Sequence, residues 1–183
     1  MVNVGLLILR LTIGGLMAGH GAQKLFGWFG GFGVEGTGGW LESMGLRPGK
    51  PWALLAGGTE FGGGVLTALG FLNPLGPLGV IGSMAMASAT AHRGKPIWVT
   101  AGGPELPVVN IAAVTAIALA GSGTYSLDEA AGTELPRWVF PAGAAAALAI
   151  VAFTVGRSAE LAQTTEGETE EEPAGGKGAE HPV

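Results

Sequence analysis

Residues 4–26, 52–72, 75–91, 105–119 and 136–155 form five apolar runs, each interrupted by few charges. Crossing the hydrocarbon of a bilayer takes about 20 such residues in a helix that rises about 1.5 Å per residue. The runs therefore predict an all-α fold, a polytopic membrane helix bundle of four to five helices. Composition agrees. Only 13% of the 183 residues are charged, about half the share of a soluble domain. Glycine is frequent, at 35 residues, and has no collagen-like period; small residues let membrane helices approach closely.

Other classes fall away on residue type. The chain has no cysteine, which removes disulfides, thiolate metal sites, iron–sulfur ligation and thiol nucleophiles. The net charge of −5 resides in the C-terminal tail, where Glu166, Glu168, Glu170, Glu171, Glu172 and Glu180 stand against Lys177. The remainder is balanced, so no basic patch invites nucleic acid. There is no phosphate loop with its lysine, no metal-spaced histidine pair and no serine elbow. A cleaved signal peptide is not expected, because Arg10 interrupts the first apolar run and no positive segment precedes it.

The chain divides into a four-helix domain over residues 1–130, an additional helix over 131–160 and a disordered acidic tail over 161–183. Residues 73–77 form a turn that folds the second and third runs into an antiparallel hairpin. Pro104 and Pro107 sit in the first turn of the fourth run, where a missing N–H costs little. The glycine-rich segment 27–51 holds a short interfacial helix over 38–46, with Trp40, Leu41 and Met44 at helical spacing. Lys24, Arg47, Lys50, Arg93, Lys95 and Arg157 fall on one side of the bundle and only Arg137 on the other. The positive-inside rule makes the first side cytoplasmic, and five spans place the acidic tail there.

Ionisable residues inside membrane helices are costly and need a partner or a task. On the first helix Arg10, His20 and Lys24 share an arc of about 80° at about 100° per residue and predict one polar stripe. His20, Lys24, Glu60, His92, Glu105 and Asn110 lie in the central or cytoplasmic half, Arg10 nearer the outer face. Together they form the candidate intramembrane polar site. Glu60 is the most informative, near mid-membrane within Gly57-Gly58-Thr59-Glu60-Phe61-Gly62-Gly63-Gly64. It reads as an ion-pair partner of Arg10 or Lys24 that sets helix register and as a proton-exchanging carboxylate, two readings that do not exclude each other. Asn110 is expected to hydrogen-bond to a neighbouring helix. Gly15-x-x-x-Gly19 and Gly58-x-x-x-Gly62 are small-residue pairs suited to packing. No cofactor follows from the residues alone; a quinone headgroup near His20 or Lys24 is easier to accommodate than a haem held by His20 and His92.

The residues resemble a family. His20-Gly21-Ala22-Gln23-Lys24-Leu25-Phe26-Gly27, preceded by Arg10-Leu11, looks like the signature of the DoxX family (DoxX/DoxD-like). Glu60, His92, Gly102-Gly103-Pro104-Glu105 and the segment Gly121–Asp128 follow in family order, so the resemblance covers about residues 4–130. It implies a four-helix bacterial plasma-membrane protein that serves as a small membrane subunit of oxidoreductase systems. A relative, DoxD, belongs to a thiosulfate–quinone oxidoreductase, and some members associate with thiol-detoxifying and superoxide-removing partners. Thr124 departs from a position that is often basic, and the fifth run lies outside the family core.

The expected function is thus a membrane subunit of a quinone-linked redox assembly, with protein partners that supply electrons. A homo-oligomer is compatible with it. The alternatives are a scaffold that recruits soluble enzymes and a small transporter with Glu60 as its proton site. No self-contained catalytic motif is present.

Overall fold

A computed structural model describes residues 1–171, with side chains through residue 158, and every regular element among them is helical. Helix α1, Val2–Phe26, runs 25 residues without a proline and stops where Gly27 turns left-handed at φ 71°. Helix α2 spans Gly33–Ser43 and α3 Gly49–Leu69. The end of α3 is closed by Gly70 at φ 62°. There Phe71 N–H donates to the Leu66 carbonyl at 3.0 Å and Gly70 N–H to that of Thr67 at 3.1 Å, the paired closure that a left-handed glycine permits. Helix α4, Leu75–Ala89, returns antiparallel. Helix α5 is Glu105–Ala120, α6 the short Leu127–Ala131 and α7 Val139–Glu171.

Helices α1, α3, α4 and α5 pack in a ring, α1 on α3, α3 on α4, α4 on α5 and α5 back on α1, and α7 lies along α4. Between them sit Met17, Val80, Ile81, Met84 and Val114, with Ile13, Ile111 and Phe140 at the edge. A second cluster, Leu41, Leu46 and Ala53, seats α2 against the start of α3. Glycine sets the helix spacing. A Cβ on Gly64 would strike the backbone of Gly14 and Ala18, and one on Gly14 would strike Gly64 and Ala68. The α1–α3 contact is therefore backbone on backbone.

Several expectations are corrected here. Gly15, Gly19, Gly58 and Gly62, the small-residue pairs read from the sequence, all face open space. Gly14, Gly21, Gly57, Gly63 and Gly64 make the close approaches instead, because in a glycine-rich helix the spacing rule cannot say which face turns inward. The short helix expected at 38–46 begins at Gly33 and ends at Ser43. Helix α6 was not anticipated, although Ser126 and Glu129 carry the capping signal at its start: Ser126 Oγ accepts from Glu129 N–H at 3.2 Å. Helix α7 continues to Glu171, into the segment from residue 161 expected to be disordered; no proline falls between Pro141 and Pro173, and Ala, Leu, Gln and Glu favour helix. Residues 172–183, which hold the rest of that tail, lie outside the described residues.

Two of the described helices, Val2–Phe26 and Val139–Ser158, are long and apolar enough to cross a membrane, while Leu75–Ala89 and Glu105–Ala120 are shorter apolar helices. The two long helices bury little of themselves in the bundle. Ile8, Leu16, Leu148 and Phe153 are all more than half exposed, far beyond the scattered apolar exposure of a soluble surface.

Candidate functional site

The seven polar residues singled out from the sequence do not form one site. Arg10 and Lys24 are fourteen positions apart on α1, about 21 Å at the helical rise. Each meets a different end of the bundle.

At the Phe26 end, glycines bring the helices together. Gly21 lies against the backbone of Phe61, and Gly57 under Leu25 and Lys24. This lets the Lys24 ammonium donate to Glu60 Oε2. The Glu60 side chain is 4% exposed and that of Lys24 24%, so the pair is buried on the carboxylate side and open on the amine side. Of the two partners expected for Glu60, the structure selects Lys24. Phe26 stands beside it, edge-on to Phe61 at 5.6 Å and tilted on Trp28 at 5.0 Å. His20, one turn earlier, is exposed, and its Nδ1 lies 3.2 Å from Gln23 Oε1. Gln23 Nε2 in turn donates to the Phe29 carbonyl at 3.3 Å. Thus His20 shares the Lys24 face without entering the bundle. The predicted stripe fails on helical phase: Arg10 points fully inward, Lys24 sideways and His20 outward.

At the opposite end Arg10 is 1% exposed. Its Nη2 donates to the Tyr125 carbonyl at 2.6 Å and its Nη1 to the Ser122 carbonyl. Ser122 Oγ donates to Asp128 Oδ2 at 2.7 Å, and Asp128 also accepts Leu72 N–H at 2.8 Å and Asn73 N–H at 3.0 Å. The amide of Asn73 donates to the Ala118 carbonyl at 3.2 Å. One network thereby ties α1 to the α3–α4 turn and to the α5–α6 loop. Sequence reading missed the part played by Asp128. Replacing Asp128 with alanine strips two half-buried backbone N–H groups of their acceptor and is expected to cost about 2 kcal/mol. Thermal unfolding in detergent measures it, and a loss below about 0.5 kcal/mol would show that the network carries no stability.

The other three candidates have local tasks. His92 Nδ1 lies 2.7 Å from the Gly102 carbonyl, and Glu105 Oε2 accepts Val99 N–H at 2.8 Å. Both pin the loop between α4 and α5. Asn110 Nδ2 reaches only the sulfurs of Met17 and Met84, each at 3.7 Å; thioethers are weak acceptors, so its interhelical bonds are feeble. His20 and His92 belong to separate surroundings, one on the outer face of α1 and the other in this loop, which leaves no shared pocket for a haem between them.

Two features now stand together: apolar helices left largely bare, and a carboxylate–ammonium pair held at a glycine-lined helix contact near an aromatic group. Residues 5–93 match the DoxX family model. This segment, a little under half of the chain, is similar to the DoxX family. This likeness and the bare apolar helices together support a membrane protein. The match takes in α1 to α4 and holds Arg10, His20, Lys24, Glu60 and His92. The remaining motifs of the resemblance, at 102–105 and 121–128, lie beyond it, as do α5 to α7. No curated protein and no solved structure matches the chain.

Proposed function

We propose that this chain is a DoxX-family protein, a small membrane subunit of a quinone-linked oxidoreductase or redox-homeostasis assembly, and that Lys24 and Glu60 exchange its protons. The observation that carries the reading is the asymmetric burial of the ion pair. Glu60 is sealed between α1 and α3, Lys24 is partly open, and His20 lies exposed one turn away. A quinone diffuses in the bilayer and approaches from the side, where His20, Lys24 and the Phe26–Trp28 pair are presented. Its reduction takes two electrons and two protons; the ammonium can hand on a proton that the carboxylate side helps to replace. The electrons come from a partner protein, since no electron carrier is evident in the residues of this chain.

In the same reading the chain sits in the bacterial plasma membrane and crosses it with α1, α3, α4, α5 and α7. Lys24, Lys50, Arg93 and Lys95 then flank one end, which the positive-inside rule turns to the cytoplasm. The substitution Glu60→Gln keeps the shape and removes the charge. Purification in mild detergent, with extraction of bound quinone and mass spectrometry of co-purifying proteins, is the test. The wild type is expected to carry quinone and the Glu60→Gln protein at least tenfold less, with both equally folded. Soluble enzymes recovered without quinone from either protein would overturn the reading and favour a scaffold.

A further inference from the structure

Beyond the ion pair, the most unusual group in the molecule is the Arg10 guanidinium. It is buried, and its acceptors are two main-chain carbonyls. Among the described residues no carboxylate lies in direct contact with it, and its Nε–H has no acceptor at all. Asp128 stands one residue removed, behind Ser122, with its own three donors. A buried charge left so incompletely paired is expensive.

Arg10 also belongs to the lining of a groove of about 410 Å³ between α1, the end of α3 and the start of α6. Leu7, Leu69 and Leu127 wall this groove, and Thr124 and Tyr125 lie at its exposed side. The side chain of a helical residue slants toward the helix N-terminus, so the guanidinium rises from a Cα about 12 Å inside α1 toward the end of the bundle. In a bilayer crossed by α1, that end of the helix lies toward the headgroups.

We propose that this groove binds an oxyanion, the phosphate of an anionic lipid, drawn by the incompletely compensated charge of Arg10 in its wall. The Nη groups of Arg10 are held by the two carbonyls, so what the guanidinium offers the phosphate is its positive charge across a low-dielectric wall. The hydroxyl-bearing residues suit the glycerol region, and the leucine walls suit the start of an acyl chain. A free phosphate offers the same oxyanion without using those walls.

The test takes the full-length protein, delipidated in detergent, and titrates it with phosphatidylglycerol, phosphatidylcholine or inorganic phosphate while the melting temperature and the bound lipid by native mass spectrometry are followed. Phosphatidylglycerol is expected to bind one to one and to raise the melting temperature, and phosphatidylcholine to bind at least tenfold more weakly. Leu69→Trp, which fills the groove at a half-exposed position and spares the Arg10 network, is expected to abolish that preference. Displacement of the lipid by millimolar inorganic phosphate would keep the oxyanion site but assign it a soluble source. Equal binding of the two lipids, or a preference unchanged in Leu69→Trp, would overturn the proposal.

Discussion

Gly64→Val is expected to force α1 away from α3 and to lower stability by about 3 kcal/mol, the upper part of the range for an overpacked core. The size follows from what the new side chain meets. A Cβ at this position falls on the backbone of Gly14 and Ala18, and backbone cannot swing aside as a side-chain tip can. The cost spreads, because the same contact aligns Lys24 with Glu60 farther along α1. Gly62→Val supplies the control: it adds the same atoms on the same helix, two residues away, where nothing lies within reach. That variant should stay within about 0.5 kcal/mol of the wild type. Melting temperatures in one detergent compare the two directly. If both variants lose the same amount, backbone contact is not what spaces these helices.

The second large effect is a cycle on the ion pair. Lys24→Met leaves the Glu60 carboxylate buried without its partner, and removing one member of a buried pair costs about 3–5 kcal/mol. Glu60→Leu in the same chain removes the stranded charge, so the double variant should recover most of the loss. Buried pairs replaced by apolar residues of similar volume are often neutral or better. Recovery of stability together with loss of bound quinone would separate the chemical task of the pair from its structural one. A double variant as unstable as Lys24→Met alone would mean that the pair holds the helices in register and nothing apolar can replace it. A double variant that is stable and still binds quinone would remove the pair from the proposed site.

How much of this was legible in the residues differs from element to element. Helix α1 was predicted to within two residues, because a long apolar run bounded by Gly27 leaves few alternatives. Lys24 and Glu60 were recognisable as partners because charge inside an apolar run must be compensated, although Arg10 competed for the same carboxylate. His20 lies one turn from Lys24 but turns outward from the bundle. An arc of about 80° on a helical wheel is wide enough to hold one residue facing the core and another facing out, and only the neighbouring helices decide between them. Asp128 went unrecognised as an acceptor for the α3–α4 turn. Its partners are separated from it by more than fifty positions, a distance over which local pattern carries no information.

The sequence by itself determined the class of the molecule and its inventory. Long apolar runs with scarce charge dictate helices in lipid, the lack of cysteine excludes thiol and cluster chemistry, and residues 5–93 match the DoxX family model. These are properties of composition and period, and they survive any arrangement of the helices. The tertiary structure alone decided which glycines touch, which way each charged side chain faces and which of two cations meets Glu60. Those outcomes depend on the rotation of one helix against another, set by a few backbone contacts between residues far apart in the chain. For that reason Lys24 joins Glu60 while Arg10, on the same helix, closes the loops at the other end.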